Sequence, residues 1–164
     1  MTLLLRTLDV QTARKVTNLL KSSPFKFLTN PITASVLNIG GLYLLYMTNL
    51  YALMHQSIFL YALIHFHVFV AGYLFTVSLI YVDVTSHRYS YIYRSFVLIA
   101  ALAAHKILAK LIYASPPTGV PVREAEVGAM WMYYGGDAVD VLLIVILCAQ
   151  WYKATAPRLL TDDT

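Results

Sequence analysis

His65, His105 and Asp137 each interrupt a long apolar stretch of the chain. At about 1.5 Å per helical residue, His65 lies ~10 Å, His105 ~13 Å and Asp137 ~15 Å from the same end of their stretches, so two imidazoles and a carboxylate share one layer. Ionisable groups in a membrane helix cost roughly 2.5 to 3.5 kcal/mol each, and they usually face a bundle interior and mark function. Neutral imidazole nitrogen binds copper, zinc and iron, while a nearby carboxylate either ligates or orients a ligating ring through its second N–H. Metal binding is the chemistry this set suits, with the metal left open among those three.

Neighbouring residues extend the candidate site. Tyr61, His65, Gly72 and Thr76 line one helical stripe, and Met130, Tyr133, Asp137 and Asp140 line another. His67 is two positions from His65, about 200° further around a helix, and is a second candidate on the same stretch. His55 falls in a short loop beside Met54, near the surface that also carries Met47, Met130 and Met132. Thioethers favour Cu(I), so capture at this surface followed by transfer to a deeper site is physically sensible, with Met54, Met130 and Tyr133 as auxiliary groups. Each histidine alone also suits an interhelical hydrogen bond, and each methionine ordinary packing; the shared depth sets the group apart. Lys106 and Lys110 are expected to snorkel toward the nearer surface or to pair with Glu124, Glu126 or Asp140.

The elements that hold these groups are membrane helices. The chain is 59% hydrophobic and 12% charged, with a mean hydropathy of +0.65. A hydrocarbon core ~30 Å thick needs about 20 apolar residues per helix, and four stretches meet that need: 32–53, 58–82, 95–114 and 127–151. The expected fold is all-α, an integral membrane bundle of four transmembrane helices. A basic segment 1–30 precedes the 31–153 membrane domain, and a polar tail 154–164 follows it. Within the first segment, residues 8–20 have the spacing of an amphipathic helix lying on the membrane surface.

Basic residues set the orientation. With both termini in the cytoplasm, Arg6, Arg14, Lys15, Lys21, Lys26, Arg88, Arg94, Lys153 and Arg158 are retained there, and Arg123 alone lies outside. Topology and anionic lipid therefore account for the net charge of +4, and no nucleic acid partner is called for. Asp83, His87, Arg88 and Arg94 are expected to form a solvated cytoplasmic turn. The single Cys148 sits in an apolar run and forms no intrachain disulfide. Met1–Leu5 is too short an apolar run for a cleaved signal peptide, so the first membrane helix is expected to serve for targeting.

Four features carry a resemblance: residues 41–51, the run from His65-Phe66-His67 to Gly72-Tyr73-Leu74-Phe75, His105, and Gly128-Ala129-Met130-Trp131-Met132-Tyr133-Tyr134-Gly135-Gly136-Asp137. Over residues 21–158 the chain resembles the CtaG family of cytochrome c oxidase assembly factors, matching the family's C-terminal half. The resemblance implies a multi-pass protein of the bacterial plasma membrane that helps deliver or insert copper into a respiratory oxidase; no enzymatic activity is expected, and copper is expected as Cu(I) where the methionines participate. It implies a cytochrome c oxidase subunit as recipient. It makes His65, His67 and His105 the leading metal positions, with Asp137 in or beside the site and His55 near its entrance. Family members commonly carry further helices ahead of the matched region, and a homo-oligomer would compensate for ligands those helices supply. Two rival functions remain: a haem-binding electron carrier clamped by His65 and His105, and a metal-free scaffold whose polar layer holds the helices together.

Overall fold

The computed structural model describes residues 22–81 and 88–156. The described residues form helices and connecting turns: α1 (Ser23–Leu28), α2 (Pro31–Met47), α3 (Leu50–Met54), α4 (Ile58–Leu79), α5 (Tyr91–Ala114) and α6 (Val122–Thr155). The amphipathic stretch 8–20, Asp83, His87 and the tail from 157 lie outside the described residues.

Local chemistry starts and stops these helices. Pro31 opens α2 and the Asn30 side chain accepts the Ile32 N–H at 2.9 Å, while Ser57 and Ser90 cap α4 and α5 through their hydroxyls. Residues 36–40 of α2 form one π-helical turn, Val36–Gly40. The apolar stretch 32–53 is not one helix. Thr48 is extended, its hydroxyl donates to Leu44 O and accepts the Leu50 N–H at 3.2 Å, so one side chain closes α2 and opens α3.

Helices α4, α5 and α6, of 22, 24 and 34 residues, are each long and apolar enough to cross a membrane; α2 is a shorter apolar helix. The third and fourth apolar stretches understate their helices. Helix α5 begins at Tyr91, and α6 runs from Val122 to Thr155, about 51 Å at the usual rise. Hydropathy marks the part suited to lipid, whereas backbone hydrogen bonding continues through flanking polar residues such as Arg123, Glu124 and Lys153.

The most extensive packing is between α5 and α6, while α2 packs against both α4 and α5. One buried cluster draws on α2, α4, α5 and α6: Ile39, Phe75, Leu79, Leu98, Ala101, Leu143 and Leu147, together with Ile80. A second, Leu108, Ile112 and Ala129, is covered by Leu42, Tyr43, Tyr46 and Met132, so it joins α2, α5 and α6 without α4. Helix α4 thus shares the core at one end and stands to the side at the other. Tyr43 ties α2 to α5 by donating its hydroxyl proton to Ala104 O at 3.0 Å. The outward faces carry large apolar side chains, including Ile58, Phe69, Phe96 and Trp131, as expected where the surrounding medium is hydrocarbon.

Arg94 corrects an expectation. It is not in a solvated turn but only 1% exposed. Its Nη1 donates to Leu79 O at 2.7 Å, and its guanidinium lies over the Tyr81 and Tyr91 rings at 4.2 and 4.4 Å. The cause is the early start of α5, which places Arg94 in the first turn against the C-terminus of α4. Carbonyls there have no partner within their own helix and favour a cation.

Candidate metal site

His65 occupies the exposed side of α4, and its Nδ1 lies 2.8 Å from Tyr61 O. A carbonyl only accepts, so Nδ1 carries the proton and Nε2 keeps its lone pair. A backbone carbonyl holding one ring nitrogen is the arrangement that leaves the other oriented for a metal. The Tyr61 and His65 rings meet in a tilted contact at 4.1 Å between centroids, His55 lies 6.3 Å from Tyr61 and 5.0 Å from Tyr51, and Tyr51 stacks on Tyr46 at 5.7 Å. Five rings therefore form a ladder from the end of α2 across α3 to α4. His55, at the C-cap of α3, is exposed, while the adjacent Met54 is buried.

His67 faces the other way. Its Nε2 donates to Leu37 O at 3.2 Å, in the π-helical turn of α2. The approach is close enough that a Cβ on Gly41 would come within 2.6 Å of that nitrogen. The two histidines of α4 are therefore divided, one against α2 and one on the exposed flank, as their angular separation requires.

His105 belongs to a second polar centre, between α5 and α6. Its ring rests against Gly136, where a Cβ would come within 2.8 Å of Cε1. Lys106 and Asp137 form an ion pair beside it, and Lys106 Nζ lies 4.4 Å above the Tyr133 ring. The sequence offered Glu124, Glu126 or Asp140 as partners for Lys106; the structure pairs it with Asp137. Their equal depth was the available signal, because a charge within a membrane segment seeks its opposite. Asp140 is the buried carboxylate of this centre, 8% exposed, with no hydrogen-bond partner for Oδ2 among the described residues. In the sequence it stood as a member of the stripe and as one candidate partner for the lysines of α5. Met130 lies on the α6 surface, lining a groove with Lys110, Tyr113 and Tyr133.

His65, with His55, thus lies along the flank of α4, whereas His105, Asp137 and Asp140 lie between α5 and α6. Among the described residues no three His, Cys, Asp or Glu side chains come together closely enough to hold a metal ion.

Three long apolar helices with outward apolar faces and a polar layer between two of them define a helical membrane protein. The chain belongs to the cytochrome c oxidase caa3 assembly factor family, whose model matches residues 1–154, nearly the whole sequence. The match agrees with the resemblance read from residues 21–158 and extends it through the N-terminal segment. Comparison with curated proteins and with solved structures found no match.

Proposed function

We propose that this assembly factor carries copper, as Cu(I), to a cytochrome c oxidase subunit, acting by ligand exchange rather than as an enzyme. The observation that carries the reading is the His55–Tyr61–His65 ladder. Its deeper imidazole has Nδ1 committed to Tyr61 O and Nε2 free, on a flank that a partner can reach. Copper is cargo here. His55 takes it from the loop surface, His65 receives it, and a ligand from the oxidase subunit displaces His65. Imidazole suits copper, and a low number of donors keeps release easy.

In this reading α2 is the fourth, shorter transmembrane helix and both termini lie in the cytoplasm of a bacterial plasma membrane. The retained basic residues Lys26, Arg88 and Lys153 support that orientation. A homo-oligomer would bring additional donors to the exposed flank of α4. The rival scaffold reading draws on one observation, the neutralisation of Asp137 by Lys106 across α5 and α6.

The test is metal content together with an absorption spectrum, on protein purified in detergent, for wild type, His65→Ala and His105→Ala. Near-stoichiometric copper that is lost in His65→Ala supports delivery through the ladder. A haem Soret band would replace it with an electron carrier, and wild-type protein without metal would leave the scaffold.

A further inference from the structure

The geometry points to a phospholipid site in the groove between α5 and α6, with Lys110 holding the phosphate of an anionic headgroup and the groove receiving the adjoining part of an acyl chain. The groove is open on one side, offers about 290 Å³ and is lined by Ala109, Lys110, Tyr113, Ala129, Met130, Tyr133 and Tyr134. Its floor is made by the two buried alanines, whose small side chains leave a furrow where larger residues would close the helix pair. Its walls are aromatic and thioether surface that suits hydrocarbon. No residue of α2 or α4 lines it, so it opens to the side where lipid lies.

The charge at its rim selects the ligand. Lys106 and Lys110 are one helical turn apart and share the Tyr133 ring, with Nζ at 4.4 and 5.8 Å from its centroid. Lys106 is neutralised by Asp137, whereas Lys110 is exposed and has no carboxylate within ion-pair distance among the described residues. Glu126, one turn along α6 from Met130, does not reach it. Lys110 stands four residues before the end of α5, about 6 Å along the axis, so its flexible stem can bring Nζ to the level of lipid phosphates. Tyr113 and Tyr134 flank it with the amphipathic rings that favour this depth. A phosphate supplies the missing negative charge, and the chain attached to it fills the furrow beneath.

The experiment uses the full chain in detergent, stripped of lipid and offered equal amounts of phosphatidylglycerol and phosphatidylcholine, with bound lipid counted by native mass spectrometry. Wild type should retain phosphatidylglycerol preferentially. Lys110→Gln should reduce that preference roughly five-fold, the effect of one cation near a lipid surface, and Lys110→Arg should keep it. Arg123→Gln, which removes an exposed cation outside the groove, should leave the preference unchanged. The proposal is overturned if wild type shows no preference, if Lys110→Gln matches wild type, or if Arg123→Gln loses as much as Lys110→Gln, which would mean diffuse attraction. Loss of copper binding in a ladder variant would not bear on any of these outcomes.

Discussion

The Nε2 atom of His67 lies 2.6 Å from the position a Cβ on residue 41 would take, so the contact between α4 and α2 uses the missing side chain of Gly41. The same nitrogen donates to Leu37 O within the π-helical turn, a carbonyl that also accepts the Gly41 N–H. Gly41→Ala should therefore push the ring away and cost about 0.5–1.5 kcal/mol, the worth of that hydrogen bond. His67→Ala should cost a similar amount. In thermal melts of the detergent-solubilised protein, the double variant should be no worse than the single His67→Ala; additive losses would show that Gly41 is needed for some other reason.

Lys106 and Asp137 hold α5 to α6 within a layer that lipid cannot solvate. Lys106→Met leaves the carboxylate uncompensated and should lower the melting temperature. Lys106→Met combined with Asp137→Leu should recover part of the loss, because removing both charges also removes their desolvation. A double variant less stable than Lys106→Met would contradict this account.

Arg94 joins the end of α4 to the start of α5 through Leu79 O and two tyrosine faces. Arg94→Leu should cost about 2–4 kcal/mol, from a charge-assisted hydrogen bond and buried cation–π contact. Arg94→Lys should restore only part, since a compact ammonium cannot stack between rings while donating to the carbonyl. Chemical denaturation in mixed micelles measures both. Equal stability of Arg94→Leu and wild type would place the energetic link elsewhere.

The ladder separates the roles of two neighbouring rings. His65 uses the backbone carbonyl of Tyr61, not its hydroxyl, to fix the tautomer. Tyr61→Phe should thus leave copper retention near the wild-type level, whereas His65→Ala should abolish transfer with a stability change within about 0.5 kcal/mol, as for an exposed position. Cu(I) competition with a chromogenic chelator distinguishes the two. If Tyr61→Phe loses copper as fully as His65→Ala, the phenol takes part in binding.

The amino-acid sequence by itself determined that this chain is helical and suited to lipid. Apolar runs of spanning length are a local signal, and lipid leaves a backbone few alternatives to the helix. It also placed His65 and His67 on different sides of one helix, because their angular separation is a property of helical geometry alone. Which helices meet is not local. The depth of His65, His105 and Asp137 can be counted along each helix, but lateral position depends on packing, and α4 leaves the core where α2, α5 and α6 close around Leu108. The partner of Lys106, the burial of Asp140 and the enclosure of Arg94 were decided in the same way, by which side chains the tertiary contacts brought within a few ångströms of each other. A charge in a low-dielectric layer pairs with the opposite charge that packing delivers, and sequence distance carries no record of that choice.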